Sequence, residues 1–220
     1  MEKCNHHYSI PQDGKIFCLT CKQYVEIIEE EAKELVMPPR IFEITEKLWT
    51  TITPWKSIPY ELVKQNLWYL SIINSQEYLV MPVMRMGNPV YFSARKLGKG
   101  IGLKYLYPTG VKKLPWVSSD KLEREPIIIC EGVADAVYCS FLSSSIAILG
   151  SYYDGSLDSL LFHRRVALVL DGDSAGILGA LKIARQLQGH TKETKVCSLP
   201  AGFDPTDLSF EELNIIIKGE

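Results

Sequence analysis

A chain of 220 residues, 46% hydrophobic and 23% charged, with 15 Gly and 12 Pro, has globular composition, which excludes a largely disordered or collagen-like chain. The length has room for one domain of usual size, or for a small module beside a medium one. The net charge of −2 argues by itself against a nucleic-acid ligand, yet the sum conceals a segregation. Residues 85–116 carry seven Lys or Arg and no Asp or Glu, whereas residues 117–220 carry fifteen Asp or Glu against nine Lys or Arg. No apolar run approaches about 18 residues, and no apolar segment follows Met1-Glu2-Lys3-Cys4. Neither a membrane-spanning helix nor a signal peptide is therefore expected, and the expected location is the cytoplasm.

The six cysteines fall into two groups. Cys130, Cys139 and Cys197 lie in apolar stretches and are expected to be buried as small hydrophobic residues. The other three form Cys4-x-x-His7, ten residues, then Cys18-x-x-Cys21. Two ligand pairs on separate turns suit a tetrahedral zinc shell, with thiolate and imidazole donors. Asp13-Gly14 between the pairs suits a hairpin. His6 could replace His7 as the ligand. A ribbon of about 25 residues has little core, so Zn2+ would supply much of its folding energy. Residues 1–25 thus read as a zinc ribbon. Residues 26–40, with five Glu and one Lys over 26–34 and Met37-Pro38-Pro39 at the end, read as an acidic linker containing at most a short helix.

Residues 41–124 read as a mixed α+β, basic subdomain. Helices are expected over Phe42–Leu48 and from Pro59, suited to a first helical position, to Leu67. Glu77–Met84 and Pro89–Ala94 read as strands around a Gly87-Asn88 turn. Arg85 precedes that turn as a further binding candidate, and a basic run of Arg95, Lys96, Lys99, Lys104, Lys112 and Lys113 follows the strands, with Tyr105, Tyr107 and Trp116 interleaved and glycines at 98, 100 and 102. Cations and aromatics on a pliable loop suit phosphate backbones and stacked bases; the alternative is a solvated basic loop with its rings turned to the core.

From residue 125 to 220 strands and helices alternate. Strands are expected at Ile127–Cys130, Ile146–Leu149, Val166–Leu170 and Lys195–Leu199. Helices are expected near Val133–Leu142, Leu157–Phe162 and Ser174–Leu187, with a last one from Phe210 capped by Ser209 and Glu212. Strands this apolar belong to a mostly parallel sheet covered on both faces. Carboxylates follow three of them: Glu131-Gly132-x-x-Asp135, Asp171-Gly172-Asp173 and Asp204-Pro205-Thr206-Asp207. Singly, each could be a turn or cap acid. Together on one sheet edge they would repel unless a divalent cation compensates, and all-oxygen donors point to Mg2+ or Mn2+. Gly172-Asp173-Ser174-Ala175-Gly176 also satisfies G-x-S-x-G, the nucleophile elbow of serine hydrolases. The only later histidine is His190, expected at the far end of the same helix. Ser174 is better read as that helix's cap.

These residues resemble the Toprim domain of primases, topoisomerases and certain nucleases, which carries a Glu after its first strand and a DxD after its third. Pro200-Ala-Gly-Phe-Asp204-Pro-Thr-Asp207 resembles the third acidic motif of replicative primases. Arg95 and Lys104-Tyr105-Leu106 resemble the basic patch of bacterial and phage primases, and the Cys-x-x-His…Cys-x-x-Cys pattern resembles their zinc ribbon. The ten-residue spacer is shorter than in that family, Tyr107 stands where it has Asn, and no G-x-x-x-x-G-K-[ST] motor motif occurs.

The resemblance implies a Toprim-like α/β fold, preceded by the basic subdomain and the ribbon, and synthesis of RNA primers on single-stranded DNA from NTPs. Asp171 and Asp173 would hold Mg2+, with Asp204 or Asp135 adding a ligand. Glu131 would act as a metal ligand or general base, and Arg95 and Lys104 would lie near the triphosphate. The basic loop would hold the RNA–DNA primer duplex. A separate helicase is the expected partner, no membrane is, and a phage-encoded chain would work in the host cytoplasm. The alternatives are a Toprim nuclease, a topoisomerase-related enzyme, or a single-strand-binding accessory without catalysis.

Overall fold

The computed structural model describes residues 34–52, 57–99, 103–119, 121–150, 152–153 and 155–219, with the backbone of three short strands before them. The chain forms two compact units, residues 1–34 with 110–112, and residues 35–109 with 113–220. In the first, β1 (Ser9–Gln12), β2 (Lys15–Cys18) and β3 (Tyr24–Val25) form an antiparallel sheet. Gln12 pairs with Lys15. The zinc ligands expected at Cys4, His7 (or His6) and Cys21 lie outside the described residues. Cys18 is placed by its backbone alone, in β2 opposite Ser9.

The second unit opens with β4 (Phe42–Glu43), α1 (Glu46–Ile52), α2 (Tyr60–Gln65), β5 (Tyr69–Ile73), β6 (Gln76–Arg85), β7 (Asn88–Lys96) and β8 (Tyr105–Leu106). The strands form one antiparallel sheet in the order β4-β5-β6-β7-β8. The helix expected over Phe42–Leu48 starts later. Phe42 and Glu43 pair with β5, and Thr45 Oγ1 accepts from the Leu48 N–H at 3.3 Å, so the cap sets the helix start. The α2 helix stops before Leu67, whose φ is 56°, and Pro59 is its N-cap rather than its first helical residue. The turn between β6 and β7 is Met86-Gly87, not Gly87-Asn88. Both residues have positive φ, which a two-residue turn of this hand requires. Pro82 cannot donate within central β6, and the register shifts just beyond it, between Val83 and Met84.

The chain continues through β9 (Trp116–Val117), β10 (Ile127–Cys130), α3 (Val133–Cys139), β11 (Ser145–Ala147), α4 (Asp158–Leu161), β12 (Arg165–Leu168), α5 (Ser174–Leu187), β13 (Glu193–Val196), a 3-10 turn at Pro205–Asp207 and α6 (Phe210–Lys218). The sheet order is β13-β12-β10-β11-β9, parallel except for β9. Both faces are covered, because alternate residues pack in opposite directions. Ile127 and Ile129 join Ala180, Ile183 and Leu187 of α5 in one core, while Ile128 and Cys130 are equally buried on the face that carries α3. Strand β13 begins two residues earlier than expected, since its register with β12 pairs Glu193 with Arg165. Cys130, Cys139 and Cys197 are buried free thiols, as their apolar settings imply.

Candidate active site

Parallel neighbours β10 and β12 end side by side, which is where sites form in such sheets. Glu131 follows β10 directly. Its Oε1 is buried and has no hydrogen-bond partner. Burial first, then the charges of Asp171 and Asp173, push its carboxyl up to about 7. Asp135 is the third residue of α3, whose N-cap is Gly132, and it accepts from the Gly132 backbone N–H. It is buried, and burial, followed by Asp204 and Asp171, raises its carboxyl well above the usual range.

Asp171-Gly172-Asp173 turns from β12 into α5. Gly172 makes this turn compact: its N–H donates to Phe203 O at 2.8 Å and its carbonyl accepts from Gly202 N at 3.0 Å. That pairing holds the 200–204 loop, and with it Asp204, beside Asp171. Asp173 is the N-cap of α5 and accepts from Gly176 N at 2.8 Å. Asp173 therefore caps the helix in place of the expected Ser174, which is exposed in its first turn. Gly176 packs against the Asp171 backbone, where a Cβ would fall 2.1 Å from the carbonyl oxygen. Asp204 caps the 3-10 turn, accepting from Thr206 N at 2.9 Å and Thr206 Oγ1 at 2.6 Å. The Asp171 carboxyl is raised by burial, then by Asp204 and Asp173. The hydrolase arrangement does not form: Ser174 begins α5 and His190 lies beyond its end, about 20 Å away along a helix of this length.

Two cations act on these acids, Arg95 on β7 and Lys104 just before β8. Lys104 and Arg95 both act to lower the Asp171 carboxyl. Arg95 on β7 pairs with Tyr105 on β8, donates to its hydroxyl at 2.6 Å and lies 5.0 Å from its ring centroid. Lys104 Nζ lies 5.8 Å from the same ring. Burial pushes the Tyr105 hydroxyl up to about 12. The other basic candidates are spread out. Arg85 donates to Met84 O and Pro115 O, Lys96 bonds through its backbone to Lys104 O, Lys99 is exposed and Lys113 half-buried. Lys112 belongs to the first unit. Trp116 is a core residue, 6% exposed, and so not a stacking platform. Tyr91, which no sequence motif singled out, joins Tyr107 and Tyr105 in a row of near-parallel rings; only the alternation Tyr91, Ser93, Arg95 along β7 could have flagged it.

Among the described residues, no three His, Cys, Asp or Glu side chains converge as a ready metal cage. The donors nonetheless suit a hard divalent cation. They are oxygens, Glu131 Oε1 lacks a partner, and magnesium is commonly held by only one or two carboxylates, with water and phosphate completing its shell. Among the described residues no helix is long and apolar enough to cross a membrane.

No family model matches the chain. A DNA primase of Streptomyces coelicolor is 31% identical over 59% of this chain; the match spans 23% of that protein's length. The primase fragment of the bacteriophage T7 primase-helicase shares the fold over 96% of this chain and 91% of its own, with a TM-score of 0.55 at 17% identity. The zinc-binding and RNA polymerase domains of Aquifex aeolicus primase superpose on 72% of this chain and 45% of theirs, with a TM-score of 0.52 at 22% identity. The chain is thus similar in sequence to a bacterial DNA primase and similar in fold to primase domains of a bacterium and a phage.

Proposed function

We propose that this chain is a primase, which copies single-stranded DNA into short RNA primers by nucleotidyl transfer, and that residues 125–220 are its Toprim domain. The observation that carries this reading is the position of Asp171, flanked by Glu131 and Asp173 on the acidic edge and opposed by Arg95 and Lys104. Anionic and cationic groups facing each other suit a phosphate substrate that meets one side directly and the other through a cation.

Asp171 and Asp173 would hold magnesium or manganese, with Glu131 and Asp204 adjoining and Asp135 behind. Bound there, the ion would neutralise phosphate charge and favour attack on the α-phosphate as the α–β bond breaks and pyrophosphate leaves. Arg95 and Lys104 would grip the triphosphate. Glu131 would take the proton of the attacking 3′-hydroxyl. Lys96, Lys99 and Lys113, with Arg85, would hold the template–primer backbone. Residues 1–25 would form the zinc ribbon, residues 26–40 the linker and residues 41–124 the basic subdomain. A separate helicase would supply unwound template, in the cytoplasm.

The test is incubation with mixed-sequence single-stranded DNA, Mg2+ and four NTPs, one labelled. Short labelled RNA is expected. Degraded template would assign a nuclease, and DNA binding without incorporation would assign an accessory protein.

A further inference from the structure

The antiparallel sheet presents a second feature on the face that carries Arg95. Opposed residues of an antiparallel pair share a face, so Arg95 and Tyr105, which are paired, stand on the same side. Tyr107 and Tyr91 continue that side. The Tyr105 and Tyr107 rings lie 6.3 Å apart at 14° between planes, and those of Tyr107 and Tyr91 6.4 Å apart at 24°. The row begins at the residue held by Arg95, and Tyr107 stands between the other two rings.

Its members differ in exposure. Tyr91 is buried at 4%, Tyr105 is half-buried, and Tyr107 is 39% exposed. Tyr107 is also braced: its hydroxyl is hydrogen-bonded to Ser93, itself 2% exposed. A braced, half-open ring one neighbour away from the ring that Arg95 and Lys104 approach costs little entropy to use. Flat π surfaces of this kind bind nucleobases without reading their edges.

We infer that Tyr107, backed by Tyr105 and Tyr91, is a nucleobase-stacking residue that positions the base of a nucleotide whose phosphates lie at Arg95 and Lys104. This rests on the primase reading for the placing of the phosphates, and it adds a contact that would accept any of the four bases. An incoming nucleotide and a template nucleotide both offer such a base, and the probes below tell them apart.

Calorimetric titration in the presence of Mg2+, without turnover, separates these sources. The probes are ATP against inorganic triphosphate, and a dT12 oligonucleotide against its abasic counterpart. Tyr107→Leu should weaken ATP, or dT12, by about fivefold to a hundredfold and leave the matching base-free probe unchanged. Loss with ATP assigns the incoming base; loss with dT12 assigns the template base. Tyr107→Phe and Tyr107→Trp should bind like the parent protein, each with a thermal melt to verify folding, so the inference stays testable if the leucine variant does not fold. Equal binding of every probe by Tyr107→Leu, or weakening by Tyr107→Trp as large as that by Tyr107→Leu, overturns the stacking role. Primer synthesis that survives such a result leaves the primase reading standing. Base-dependent binding in a protein that makes no primer upholds Tyr107 and sinks the primase reading.

Discussion

Gly172 sits so close to Pro200 that a Cβ built on it would fall 2.1 Å from the Pro200 carbonyl oxygen. The contact is backbone against backbone, so no side chain can swing aside to relieve it. Gly172→Ala should therefore part the Asp171 turn from the loop that carries Asp204. A stability loss of about 3 kcal/mol in chemical denaturation is expected, with weakened Mg2+ binding in whatever fraction stays folded. An alanine variant as stable as the parent would show that the loop yields freely.

Asp173 has two tasks that substitution can separate. Asn caps a helix as well as Asp does, whereas Ala does not. Asp173→Asn should keep parental stability, and Asp173→Ala should lose about 1 kcal/mol. Both should lose primer synthesis, because both lose the carboxylate charge. Retained synthesis in Asp173→Asn would reduce Asp173 to a cap.

Asp171 has no such capping task among the hydrogen bonds described. Asp171→Asn is expected to fold normally, to bind zinc to the same extent as the parent protein and to fail in primer synthesis at any Mg2+ concentration. Elemental analysis for zinc and labelled-NTP incorporation check the two halves independently.

Tyr105 holds Arg95 through one hydrogen bond of 2.6 Å. Tyr105→Phe keeps the ring and removes that bond. Its expected effect is a rise of about fivefold in KM for NTPs, equivalent to about 1 kcal/mol, with little change in kcat. A fall in kcat alone would place Arg95 at the chemical step rather than at the bound triphosphate.

Glu125 joins Arg164 and Arg165, linking the approach to β10 with the start of β12. The Arg164 hydrogen bond is the largest cause holding its carboxyl below the usual range. A depressed carboxyl contributes stability above its unfolded value of about 4.3 and loses it as pH falls through its folded value. Glu125→Gln should thus melt below the parent protein at pH 7, with the two converging as the pH falls through the folded carboxyl's depressed value. A constant gap would mean that the ion pair does not carry the effect.

Much of the acidic edge was legible in the residues themselves. Apolar runs such as Ile127–Cys130 require burial on both faces, and a carboxylate directly after such a run has one place to go, the end of a strand. The Ser209 and Glu212 cap was equally plain, because each satisfies backbone groups three residues away. Boundaries were less plain where a distant partner decided them, as at β13, which starts where β12 offers hydrogen bonds, and at Phe42, which pairs with β5 rather than joining a helix.

Local chemistry, then, was enough to determine the two-sided sheet, the Ser209–Glu212 cap of α6 and the carboxylates at the strand ends, since each follows from the preferences of a few adjacent residues, whereas the cap of α5 fell to Asp173 rather than Ser174. Only the tertiary structure decided that Arg95 and Lys104 face Asp171, that Gly172 lies under Pro200, that Trp116 turns to the core and that Tyr107 stays half-open. Those outcomes depend on which strands and loops pack together, and such long-range contacts leave no period or spacing in a single chain.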